Sequence, residues 1–245
     1  MSQSDPALWD MNAHAEAQDG ARHTTGLLPA HVLKGLIQAK EIQAERDFIE
    51  GQIQPSSIDL RLGAHAYRVR ASFLPGDSTV KDKLAEVALH EIDLTKGAVL
   101  ETGCVYLVPL LEHLALGYRI SGTANAKSST GRLDVFTRLV TDLGKEFDTV
   151  PAGYHGPLYA EISPRTFSIL VRTGSRLNQL RLRRGTPVFS DTALKKLQEE
   201  VGVVHGPADI DNGIALTVDL SGEGDTGLVG YRAKRHAGLI DVDNV

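Results

Sequence analysis

The stretch Leu158-Tyr159-Ala160-Glu161-Ile162-Ser163 alternates without a break: Leu158, Ala160 and Ile162 face one way, Tyr159, Glu161 and Ser163 the other. A period of two marks a strand with one apolar and one polar face. Upstream, Gln54-Pro55-Ser56-Ser57-Ile58-Asp59-Leu60-Arg61-Leu62-Gly63 repeats the pattern, with residues 54–57 as the turn that delivers it. Residues 91–94, 103–110, 113–120 and 133–140 read as further short strands, as do 167–171 and 178–182. Short strands separated by turn residues predict a mainly β sandwich or barrel rather than a βαβ fold.

Helical patterns are few. After Leu27-Leu28-Pro29, the residues Val32, Leu33, Leu36 and Ile37 share one helical face, with Pro29 in the first turn. The charged residues 81–91 read as a short helix or a surface loop. Ser190-Asp191 caps a helix over 192–201, and Gly202 ends it. The expected organisation is a polar tail at 1–25, a central domain at 26–190, and a helix, a strand (214–220) and a basic tail segment within 191–245.

Composition narrows the function. A net charge of −5 over 245 residues excludes a general nucleic-acid binder, which would carry a basic stripe. The single cysteine, Cys104, excludes an internal disulfide and a cysteine-rich zinc site, and its strand-like flanks predict a buried thiol. His14-Ala15-Glu16 copies half of a zinc-deaminase signature, but the other half needs two cysteines. No zinc is therefore expected. The run from Gly222 to Gly227 satisfies G-x-G-x-x-G, yet it is acidic and opens no amphipathic helix, so it reads as a loop. No apolar run approaches the ~20 residues of a membrane helix, and nothing resembles a signal sequence. A cytoplasmic protein without a membrane partner is expected.

The chemistry-bearing residues admit two readings each. Lys127-Ser128-Ser129 supplies an ammonium, two hydroxyls and successive N–H groups, which suits phosphate oxygens and equally suits an ordinary serine turn. Arg132 either returns to that cavity or lies on the surface. Glu161 is a carboxylate for proton transfer or a solvated side chain. In Gly153-Tyr154-His155-Gly156, Tyr154 stacks on a sugar or base, or packs; His155 reads as a surface residue. Asp59 and Arg61 read as members of a weak cross-strand ion pair. Arg165, Arg172, Arg176, Arg181, Arg183 and Arg184 form a basic patch suited to polyanions or to acidic residues at a subunit contact.

Taken in order, these motifs resemble the dCTP deaminases of the trimeric dUTPase-like superfamily. Residues 54–63 are close to the family's Q-P-S-S-x-D-L-R-L-G, and Lys127-Ser128-Ser129-Thr130-Gly131-Arg132-Leu133 is similar to its R-S-S-x-x-R-L. Residues 153–161 resemble G-[FWY]-x-G-x-x-x-L-E, and residues 174–180 resemble G-x-x-I-x-Q-L. Residues 230–238 faintly resemble a closing Y-x-x-Q-x-G, with Lys234 where glutamine is usual. The likeness is to the first repeat of a two-repeat member.

What the resemblance implies is a dUTPase-like, distorted β-barrel or jelly-roll-related fold with a few short helices, assembled as a homotrimer with sites between subunits. It implies conversion of dCTP to dUTP and ammonia, with Mg²⁺ bound along with the triphosphate and dTTP as a candidate regulator. Glu161 would be the base, with Ser128 and Arg132 orienting it and the water. Lys127, Ser128, Ser129, Arg132, Tyr154, Gln179, Tyr231 and Lys234 would hold the nucleotide. The family's Asp-Pro-Gly is Pro151-Ala152-Gly153 here, and the segment between Arg132 and Gly153 is longer than usual. The alternatives are a dUTP diphosphatase or bifunctional enzyme, with Asp148 as the nearby carboxylate, and a nucleotide-binding module without turnover.

Overall fold

The computed structural model describes residues 25–186, 189–218, 220–222, 224–231 and 238–244. Along the chain come β1 (Gly26–Leu27), α1 (Ala30–Gln38), β2 (Ile42–Ala44), β3 (Ile53–Gln54), β4 (Ser57–Arg61) and β5 (His65–Val69). Helix α2 (Val80–Val87) precedes β6 (Ala88–Asp93), β7 (Ala98–Leu100), β8 (Val105–Ala115) and β9 (Ile120–Ala126). The short helix α3 (Ser128–Arg132) leads into β10 (Val135–Thr141), β11 (Thr149–Val150), β12 (His155–Pro164), β13 (Ile169–Val171) and β14 (Arg176–Arg184). Helix α4 (Asp191–Val201) and β15 (Ile240–Asp241) follow.

Two antiparallel sheets face each other. The first runs β11-β9-β14-β4-β3 with β1 on β14, and the second β10-β12-β8-β5-β6 with β2 on β8. A small third sheet, β15-β13-β7, pairs β13 with β15 in parallel. The fold is mainly β as expected, but as open sheets rather than a closed barrel. Ile58, Leu60, Leu180 and Leu182 of the first sheet meet Val108, Leu110, Leu139, Ala160 and Ile162 of the second in one core. Each such large side chain contributes about 1.5–3 kcal/mol by leaving water.

The outer face of the second sheet is covered too. Val69, Leu107, Val140 and Tyr159 pack under Val80 and Leu84 of α2, joined by Phe73 and Phe147. The α2 cover is fixed at its start, where Thr79 caps the Asp82 N–H and the Val80 N–H donates to Asp142 at 2.7 Å. Tyr159, Glu161 and Ser163, the expected polar face of β12, are consequently only 8%, 3% and 5% exposed.

Several expectations are corrected. Residues 113–115 continue β8 instead of starting a new strand. Proline lacks a ladder N–H, and Pro109 falls where the β8–β12 register slips, so the strand passes through it. Over 214–220 the described residues form no strand, only an isolated bridge from Ile214 to Ile210. Asp59 and Arg61 do not form an ion pair with each other, because they share one face of one strand and find separate partners. Cys104 is half-buried rather than sealed. Helix α4 matches its reading: the Ser190 hydroxyl accepts from the Ala193 N–H, and Gly202 closes it at φ 66°. Trp9 and His14-Ala15-Glu16 lie outside the described residues.

Candidate active site

Glu161 sits in mid-β12, directly opposite Arg138 on β10. Arg138 donates from Nη2 (2.5 Å) and Nε (3.1 Å) to the same oxygen, Glu161 Oε1. Nη2 also donates to Ser72 Oγ at 2.7 Å. The guanidinium lies 3.5 Å from the Phe147 ring centroid and 4.9 Å from that of Phe136. The cation expected beside Glu161 was Arg132; within this chain it is Arg138. Alternation along β10 was legible, but the pairing partner of Glu161 was not, since register across strands is a tertiary property.

Asp148 follows at φ 60°, where its carboxylate accepts the Leu139 N–H at 2.7 Å. Burial pushes its carboxyl above the ordinary aspartate range; the Leu139 N–H and Arg138 pull it down, and the charge of Glu161 pushes it up. Tyr159, on the same strand as Glu161, is pushed up to about 12 by burial and then by the charge of Asp142. An ion-paired carboxylate in such dry surroundings feels its neighbours more strongly than it would in water.

The Lys127-Ser128-Ser129 turn lies elsewhere. Ser128 and Arg132 are exposed and Ser129 half-buried on α3. Among the described residues no hydrogen bond or ion pair joins these three side chains to Glu161. The Lys127 ammonium pairs with the buried carboxylate of Asp59, which also lies 3.4 Å from Arg176 Nη1. Gln179, opposite Asp59 in register, donates to the Ala126 carbonyl and accepts from Ser57, both at 3.4 Å. Lys127, Asp59, Arg176 and Gln179 thus gather on the outer face of the first sheet. Beside α3, a cleft of about 620 Å³ is lined by Ala126, Gly131, Thr137 and Arg165 among others.

Tyr154 packs in the core, donating to the Pro157 carbonyl (2.7 Å) and accepting the Asp142 N–H (3.0 Å). Burial raises its phenol far above the ordinary value. The two glycines around it have separate reasons. Gly153 has φ 70° and would place a Cβ 3.2 Å from Tyr118 Cα; a Cβ on Gly156 would meet the Tyr154 hydroxyl at 2.7 Å. His155 is exposed, its Nε2 3.1 Å from the Leu116 carbonyl. Tyr231 is 93% exposed, and Lys234 lies outside the described residues. The arginine patch disperses: Arg172 binds Asp241 and Asp243, Arg181 binds Asn125, and Arg183 binds Ser121.

The fold is two facing, mainly antiparallel β sheets, with a buried, ion-paired carboxylate on the second. The chain belongs to the dCTP deaminase family: residues 24–186 match the 2'-deoxycytidine 5'-triphosphate deaminase (DCD) N-terminal domain, and residues 190–245 match the C-terminal domain. The crystal structure of 2'-deoxycytidine 5'-triphosphate deaminase from Agrobacterium tumefaciens is 53% identical, with a TM-score of 0.86 over 90% of this chain and 66% of that one. The "dCTP deaminase, dUMP-forming" of Nanoarchaeum equitans (strain Kin4-M) is 30% identical over 184 residues, 67% of this chain and 87% of that protein. This chain therefore spans about two thirds of the length of the A. tumefaciens protein.

Proposed function

We propose that this chain deaminates dCTP to dUTP and ammonia, with Glu161 as the base. The observation that carries this is a glutamate only 3% exposed that nevertheless keeps a cationic partner. Water is a poor nucleophile at neutral pH, so attack at cytosine C4 needs a group that accepts its proton. Glu161 takes that proton and passes it to ring N3, forming a tetrahedral centre at C4. The remaining hydroxyl proton then moves to the amino group, the C4–N bond breaks, and ammonia leaves as the C4 carbonyl forms.

The exposed Ser128 and Arg132, with the half-buried Ser129 between them, suit a nucleotide approached from outside their own chain. In a homotrimer with sites between subunits, α3 of one subunit would face Glu161 of its neighbour. Lys127 and Gln179 lie behind that turn; Tyr231 and Lys234 would close over the triphosphate, and Tyr154 would support the site from beneath. Mg²⁺ favours phosphate oxygens and water over dedicated protein cages. Mg²⁺ would on this reading arrive with the nucleotide. A cytoplasmic setting suits this substrate, and no described helix is long and apolar enough to cross a membrane.

Incubation with dCTP and Mg²⁺ tests the reading. Ammonia and dUTP in equal amounts are expected, with dTTP added in parallel to read regulation. Pyrophosphate and dUMP alongside ammonia would move the assignment to a dUMP-forming enzyme, and binding without ammonia would remove the activity.

A further inference from the structure

We propose that Arg138 is a positioning residue for Glu161, seated in an aromatic slot that accepts a free guanidinium ion when the side chain is removed. The inference rests on Glu161 being the base. Its support is geometric. Both hydrogen bonds that Arg138 gives to Glu161 go to Oε1. Oε2 has no partner among the described residues, and it is not one of the buried atoms sealed without one. The pairing therefore engages one oxygen and leaves the other without a described partner, as a base that must take a proton from water requires.

The slot is well defined. Phe147 lies against one side of the guanidinium at 3.5 Å, Phe136 lies at 4.9 Å, and Ser72 accepts from Nη2. Aromatic faces attract a planar cation, and this slot stays open to solvent, with Phe136 48% exposed and the Arg138 side chain 23% exposed. Lysine cannot reproduce this, having neither the plane nor the two parallel donors.

The surroundings of Glu161 make the cation necessary. Leu107 lies across on β8 with Tyr67 behind it on β5, Tyr159 lies on its own strand, and Asp148 follows β10. The charged group facing Glu161 from β10 is Arg138. Without it, Asp148 would keep the charge of Glu161 nearby and lose the Arg138 charge that now offsets it.

Arg138→Ala in the full chain tests this, with dCTP turnover, dCTP binding and the pH–rate profile as readouts. Turnover should fall by about 100-fold, the usual cost of misplacing a reacting group, while dCTP binding stays within about tenfold. The acid limb of the profile should move to higher pH. Millimolar guanidinium should restore turnover, and urea, its neutral counterpart, should not. Arg138→Lys should return the acid limb towards its original position without returning the rate. If Arg138→Ala does not fold, Arg138→Lys still decides: a wild-type rate in that variant overturns the proposal. So does a folded Arg138→Ala protein that guanidinium fails to rescue, or one with unchanged turnover. Glu161→Gln keeps the two ideas apart. If it turns over dCTP normally, the base assignment itself fails; if it is inactive while Arg138→Ala is not, only the role of Arg138 fails.

Discussion

Arg61 and Arg138 each face a buried glutamate, but the two pairs differ in what remains unbonded. Arg61 donates from Nε to Glu112 Oε1 at 2.7 Å and from its backbone N–H to Oε2 at 2.8 Å. Its remaining donors reach the Asp47 and Arg46 carbonyls, and Gln52 adds a bond to Glu112. Burial pushes the Glu112 carboxyl up and these bonds pull it back, so every polar atom is committed to holding residues 46–52 against β8. Glu112→Leu would strand the guanidinium, and chemical denaturation should show a loss of about 3–5 kcal/mol. Glu161 instead keeps one oxygen free. Glu161→Gln preserves shape, so dCTP should bind within about tenfold while ammonia release falls at least ~100-fold; near wild-type release would sink the mechanism. Glu161 was legible from its motif and from alternation. Arg138 was not, because nothing in a strand's own sequence says which residue lies opposite. Asp59 shows the same limit: its partner Lys127 is 68 residues away.

Elements with a local cause were readable. Helix α4 carries its own cap and its own left-handed glycine, and α1 carries its apolar stripe. Strands β3 and β7, of two and three residues, are too short to display a period. β15 exists through its partner: it pairs with β13, and Arg172 bonds Asp241 through both terminal nitrogens at 2.7 Å. The Arg172 hydrogen bonds hold the Asp241 carboxyl at about 2, below the ordinary 3.8. A carboxylate depressed in the folded state stabilises above its ordinary value and loses that contribution as pH falls through the depressed one. The attachment of β15 should therefore be intact above about pH 4 and weaken towards pH 2. Amide exchange at residues 240–243, followed across that window, should rise first in the native protein. In Arg172→Ala it should already be fast at neutral pH; exchange unaffected by that substitution would refute the clasp.

At the scale of the whole molecule, the candidate residues divide between two places that no described hydrogen bond connects: Glu161 on the covered face of the second sheet, Ser128 and Arg132 on exposed α3. If neighbouring subunits complete each other's sites, two inactive proteins should repair one another. Glu161→Gln and Arg132→Ala, unfolded and refolded together, should give ammonia release well above either refolded alone. A mixture no better than its parents would place the whole site within one chain. The two facing sheets were legible as a mainly β class, because alternation and turn spacing are local. Their openness was not, since closure depends on which edges meet.

Strand β4 has a consequence for how this chain is made. Its neighbour β14 arrives late: Ser57 precedes Gln179, its hydrogen-bond partner, by 122 residues. At ~5–20 residues added per second, the ribosome leaves that side of β4 unpaired for on the order of ten seconds. Throughout that interval Ile58 and Leu60 have no β14 beside them, and for just over half of it Asp59 waits for Lys127, 68 residues downstream. A nascent strand of this kind invites pairing with other chains, so the yield of soluble protein during synthesis should depend on chaperones that shield residues 53–62 until β14 emerges.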